Sequence, residues 1–195
     1  SVFRNTATPG SITTTSLAAK VDFATAAAPR SVALGDMDLD GKVDIIVANS
    51  GVSSVSVIRN TSVTGPITSG SFAPRVDLTT DANPTSVAIG DIDGDRKTDI
   101  IAACASGAGS ISVLRNRATP GALNTTSFVA RVNFATGTNP LSILIRDLDV
   151  DGKLDVIVAN NGSNSISVFH NTAVSGVINS GSLAPKVDFV TGTAP

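Results

Sequence analysis

The chain has no tryptophan, no tyrosine and no glutamate, and it holds one cysteine and one histidine. Each shortage weighs against a class of function. Nucleic-acid binding uses a basic face and stacking aromatics, whereas here Lys and Arg are scattered and only phenylalanine supplies rings. A sugar cleft presents a ring for stacking, and most of the seven phenylalanines fall in strand-like patterns that mark them as core. One cysteine, Cys104, cannot form an internal disulfide, and its apolar surroundings make it a small buried residue. His170 stands where two other repeats carry Arg59 and Arg115 and reads as a surface substitution, so no catalytic residue is assigned and the chain is read as no enzyme. No stretch of 18 apolar residues is present to cross a membrane as a helix. Ser1 begins inside a repeat unit, as a mature product or a piece of something larger would.

What the chain does have is aspartate, in one place. All 16 acidic residues are Asp, and twelve of them lie in three nine-residue loops: Asp36 to Asp44, Asp91 to Asp99 and Asp147 to Asp155. The loops start 55 and then 56 residues apart, with the extra residue in the turn around Ala105 to Ser110. The flanks repeat as well. Ser31-Val32-Ala33-Leu34-Gly35 corresponds to Ser86-Val87-Ala88-Ile89-Gly90 and Ser142-Ile143-Leu144-Ile145-Arg146. Each loop leads into an apolar run, a Gly/Ser/Asn turn, a strand ending in Asn (Asn60, Asn116, Asn171) and a Val-Asp-Phe-like strand. A repeat of this length signals an array of supersecondary units.

Short β-branched runs of period two, punctuated by Gly, Ser, Asn and Pro, predict strands. Four strands per repeat predict an all-β protein built of β-propeller blades, each of four antiparallel strands. The expected division is a half blade over 1–30, then blades over 31–85, 86–141 and 142–195, together one partial propeller domain. Three and a half blades leave edges and faces to be covered. Further blades would cover them, or self-association or a protein partner would do so, head to tail.

Four carboxylates in nine residues repel one another unless a cation sits among them. Numbered from its first Asp, each loop has Asp at positions 1, 3, 5 and 9. Alternation turns Asp36, Asp38 and Asp40 inward, and likewise Asp91, Asp93 and Asp95, and Asp147, Asp149 and Asp151. The carbonyl of residue 7 (Lys42, Lys97, Lys153) can complete the shell while its side chain points to water. Hard oxygen donors without His or Cys indicate Ca²⁺. Three ions would take the formal net charge from −2 to +4. Position 6 needs a sharp turn, met by Gly41 and Gly152. Arg96 stands there in the second loop, which predicts a weaker site at Asp91–Asp99. An EF-hand is excluded because position 12 is Val47, Ala102 or Val158 and the flanks are strand-like.

The segments SVALGDMDLDGKVDIIVAN, SVAIGDIDGDRKTDIIAAC and SILIRDLDVDGKLDVIVAN resemble the FG-GAP/VCBS repeat family, the blades of integrin-α-type β-propellers, in its bacterial branch. The resemblance implies a propeller, commonly seven-bladed, with calcium in the loop joining the first two strands of a blade. It carries the ligands over to Asp36, Asp38, Asp40, Lys42 and Asp44; to Asp91, Asp93, Asp95, Lys97 and Asp99; and to Asp147, Asp149, Asp151, Lys153 and Asp155. It also implies an extracellular or cell-surface location. Arg146, where Gly35 and Gly90 stand in the other repeats, departs from the pattern beside the third loop. The function expected is a calcium-stabilised structural, adhesion or filament-forming module. A lectin-like propeller, with glycans as partners, and an accessory domain of a secreted enzyme are the alternatives. The sequons at Asn60, Asn124 and Asn161 are read as coincidence.

Overall fold

The computed structural model describes residues 1–195. It contains twelve strands in three four-stranded antiparallel sheets. The first sheet comprises β1 (Pro29–Gly35), β2 (Asp44–Asn49), β3 (Ser54–Ile58) and β4 (Val76–Thr79) in that order. The second comprises β5 (Pro84–Gly90), β6 (Asp99–Cys104), β7 (Ser110–Leu114) and β8 (Val132–Ala135). The third comprises β9 (Pro140–Arg146), β10 (Asp155–Asn160), β11 (Ser165–Phe169) and β12 (Val187–Val190). These are β-propeller-like blades. A single 3-10 turn, Thr125–Ser127, is the one helical element.

The blades stand side by side, with β1 beside β5 and β5 beside β9. The middle blade is covered on both faces, and its sequence shows why. A strand sends alternate side chains to opposite faces. From β6, Ile100, Ala102 and Cys104 enter the core shared with the first blade, while Ile101 and Ala103 enter the core shared with the third. Every residue of β6 and β7 is buried. Each buried Ile or Val contributes about 1.5–3 kcal/mol.

Close approach of the inner strands depends on two glycines. A Cβ on Gly35 would lie 2.4 Å from Ile89 Cδ1, and one on Gly90 would lie 2.4 Å from Ile145 Cδ1. Arg146, the third member of the series, is exposed because no blade packs beyond it. Its departure from glycine therefore reports on blade packing rather than on the loop that follows.

A polar ladder crosses each sheet. Asn49 Nδ2 donates to Ser56 Oγ (2.9 Å), which donates to Asp77 Oδ1 (2.6 Å). Asn160, Ser167 and Asp188 repeat it at 2.8 and 2.7 Å. In the middle blade Cys104 and Asn133 flank Ser112 instead. Cys104 is buried, as read from the sequence.

The first 28 residues form isolated bridges, not strands: Val2 pairs with Val21 and Asn5 with Leu17. The second bridge recurs at Asn60–Phe72, Asn116–Phe128 and Asn171–Leu183. The segment thus keeps the register of an outer half blade. Two-stranded ribbons without a third strand are marginal in water, which accounts for the weak pairing.

Candidate metal centre

Each aspartate loop joins the first and second strands of a blade: β1 to β2, β5 to β6, and β9 to β10. The first carboxylate winds the loop. Asp36 Oδ2 accepts from Gly41 N at 2.8 Å, Asp91 Oδ2 from Arg96 N at 2.8 Å, and Asp147 Oδ2 from Gly152 N at 3.0 Å. Position 5 repeats the device, with Asp40, Asp95 and Asp151 each accepting from the amide two residues on.

Tight winding puts two residues of each loop in the left-handed region, at positions 4 and 6. Their φ values are 59° and 82° for Leu39 and Gly41, 69° and 69° for Gly94 and Arg96, and 66° and 88° for Val150 and Gly152. Every loop therefore has one glycine and one strained residue. Arg96 brings no added strain, because Gly94 relieves position 4 where the other loops carry Leu39 and Val150. The backbone of the second loop is therefore no more strained than that of the other two.

Position 9 is a buried bracket. Asp44 Oδ2 accepts from Met37 N (2.9 Å) and Oδ1 from Asn60 N (2.7 Å). Asp99 does the same with Ile92 and Asn116, and Asp155 with Leu148 and Asn171. One carboxylate thus ties the loop to the exit of the third strand. Burial pushes the Asp44 carboxyl above its ordinary range. Burial, with repulsion from Asp93 and Asp95, pushes Asp99 up to about 7, against the favourable amide bonds.

Three oxygens converge in each loop, though the sets differ. Asp36, Asp38 and Asp40 each offer one within 4.8 Å of the others, as do Asp91, Asp93 and Asp99, and Asp147, Asp149 and Asp151. A fourth set is Asp149, Asp155 and His170. Asp38 is the decisive member. It is 0% exposed, and neither of its carboxylate oxygens has a hydrogen-bond partner. Burial and the charge of Asp40 raise its pKa, against the pull of Arg59. A buried carboxylate with no donor is an expensive arrangement, and a hard divalent cation held by oxygen satisfies it. The first loop fits calcium on that ground. The lysine carbonyls at position 7 lie in the same loops. Their side chains do not all seek water, since Lys97 Nζ donates to Ala118 O (3.0 Å) and Lys153 Nζ to Ala173 O (3.2 Å).

Two further sets of residues bear on the loops and were not recognised as such in the sequence. Asn116 Nδ2 donates to Thr98 O of its own blade (3.0 Å) and to Met37 O of the preceding one (2.8 Å). Asn171 bridges Leu154 O and Ile92 O in the same way. Recurrence of Asn at the end of every third strand was the available signal. The residue before it also reaches the loop. Arg59 Nη1 lies 3.6 Å from Asp38 Oδ2, Arg115 pairs with Asp93 and Asp95, and His170 Nδ1 lies 3.1 Å from Asp149 Oδ2. His170 is thus a neighbour of the aspartates, not an idle surface residue.

The profile of the FG-GAP-like repeat matches residues 36–102 and 91–158. The chain belongs to the FG-GAP-like repeat family. The two matches each run from one aspartate loop into the next blade. Repeats of this family are generally non-catalytic structural modules, often bind calcium and are typical of extracellular proteins. No helix is long and apolar enough to cross a membrane. A comparison with curated proteins found no match.

Proposed function

We propose that the chain is a calcium-stabilised, extracellular or cell-surface β-propeller module with a structural role in adhesion or assembly. The observation that carries it is the Asp38 carboxylate, buried without a donor between Asp36 and Asp40. Calcium there would do two things. It would neutralise the acidic loop, and through Met37 it would stiffen the carbonyl that Asn116 of the next blade holds. Metal binding and blade stacking are then coupled.

Assembly would use the two open faces. Val32 and Leu34 of the first blade are each 63% exposed, beside a groove of about 630 Å³ that Phe3, Phe23 and Phe72 also line. Leu144, Val187 and Phe189 are more than half exposed on the third blade. In sheet register Val32 and Leu34 match Val87 and Ile89, and Leu144 and Phe189 match Ala88 and Phe134, which pack between blades inside the chain. The fitting partner for either face is another blade of this kind.

Differential scanning calorimetry in millimolar calcium and in excess chelator tests the reading. At roughly 10⁻⁴–10⁻³ M affinity, each filled site gives about 1–2 kcal/mol, and a rise in melting temperature of several degrees is expected. Coincident melting curves would refute it.

A further inference from the structure

We propose that Arg115 is the built-in cation of the second aspartate loop, so that this loop closes without a divalent ion while the first does not. The inference rests on the calcium reading of the first loop, and its evidence is a comparison within the chain. Arg59, Arg115 and His170 occupy the same place, one residue past the third strand of successive blades.

The two arginines behave differently. Arg59 gives its Nη1 hydrogen to the carbonyl of Gly121 in the next blade, at 2.9 Å. It stops 3.6 Å short of Asp38 Oδ2, and both Asp38 oxygens stay without a hydrogen bond. Arg115 turns onto the loop itself. Its Nε donates to Asp93 Oδ2 at 2.5 Å and its Nη2 to Asp95 Oδ2 at 2.6 Å. Those carboxylates are positions 3 and 5, and Asp93 is also a member of the converging set Asp91, Asp93 and Asp99. Asp93 Oδ1 accepts from Asp95 N at 3.2 Å, so Asp93 has no orphaned oxygen.

A guanidinium is permanently charged, and its planar fork matches two carboxylate oxygens. A divalent ion entering the second loop would have to break two charge-assisted bonds and then sit against the displaced positive charge. At the first loop it would break none with Asp38. The neighbouring blade also differs at this point. Ser175 Oγ donates to Gly94 O at 3.1 Å, whereas the corresponding Pro120 has no hydroxyl to offer the first loop. His170 makes the third loop intermediate. Its Nδ1 is 3.1 Å from Asp149 Oδ2 and 3.4 Å from Asp155 Oδ1, but an imidazole carries no permanent charge. The residue after the third strand therefore sets how far each loop depends on a divalent ion.

Hydrogen-exchange mass spectrometry on the whole chain, in millimolar calcium and in excess chelator, reads each loop separately. Chelation is expected to speed exchange at 36–44 by about tenfold or more, and to leave 91–99 within about twofold. In Arg115→Ala, exchange at 91–99 is expected to become calcium-dependent like that at 36–44. If 91–99 of the wild type responds to calcium as strongly as 36–44, the role of Arg115 is overturned and the calcium reading stands. If neither segment responds, the calcium reading fails and this proposal with it. A folded Arg115→Ala chain whose 91–99 segment ignores calcium also overturns the proposal. Should that variant not fold, the wild-type comparison decides alone.

Discussion

Replacing Asp38 by asparagine should change the stability of the chain in opposite directions with and without calcium. Asp38 is fully buried, its oxygens have no hydrogen-bond donor, and its nearest cation, Arg59, is committed to Gly121 O. In chelator, Asp38→Asn removes a buried charge whose oxygens accept no hydrogen bond, and the amide costs less to bury than the carboxylate. The variant should gain about 1–2 kcal/mol. In calcium the balance reverses. At roughly 10 mM ion, a site of 10⁻⁴–10⁻³ M affinity stabilises by about 1.4–2.7 kcal/mol, and losing a charged ligand removes most of that. Set against the gain that the variant keeps, this leaves it about 0.5 kcal/mol below its calcium-loaded parent. Without tryptophan or tyrosine there is little intrinsic fluorescence to follow, so the unfolding curves are best taken by far-ultraviolet circular dichroism in urea. A shift of the same sign and size in both buffers would refute the reasoning, because it would make Asp38 a purely structural residue.

Other outcomes follow from separate contacts. Gly90→Ala places a Cβ 2.4 Å from Ile145 Cδ1 and should cost about 1–3 kcal/mol in a urea titration, whereas Arg146→Gly should stay within about 0.5 kcal/mol. Asn116→Ala leaves Met37 O and Thr98 O without their donor and should cost about 1–3 kcal/mol, with faster amide exchange in the first loop, 79 residues away. Asp99 gives a pH signature in chelator. Its folded pKa of about 7 lies above the ordinary carboxylate value, so below pH 4 both states hold the proton and it adds no pH dependence. Between pH 4 and pH 7 the unfolded chain releases a proton that the folded chain keeps. Stability should therefore fall as pH rises through that window, by up to about 4 kcal/mol, and level off above it. Asp99→Asn should flatten the profile, as measured by calorimetry across that range.

Much of the fold could be read from the repeat. Period-two runs such as Ile45-Ile46-Val47-Ala48 and Ser56-Val57-Ile58 lie in strands of the expected order, because a one-residue slip would move the side chains that fill the core to the opposite face. Where the aspartate loops fall was legible for the same reason: four carboxylates recurring at fixed spacing have no other use as consistent. Side-chain roles within the loops were less so. Position 9 reads as one more ligand in the sequence, and the structure shows a second task for it, since Asp44 also accepts from the amides of Met37 and Asn60. Arg96 looked costly in isolation, but the left-handed residue at position 4 becomes visible only once the backbone is traced. Arg146 seemed to bear on the third loop, but the glycines it replaces serve contacts with the next blade. Asn116 and Asn171 act across blades, a distance that no local pattern encodes.

On the proposed function, the first aspartate loop exists to hold a divalent ion where β1 passes into β2. An anomalous difference map from crystals grown in millimolar calcium tests it directly. A peak enclosed by Asp36, Asp38 and Asp40 is the expected result. A map with no peak there, and Asp38 turned out to solvent, would contradict it.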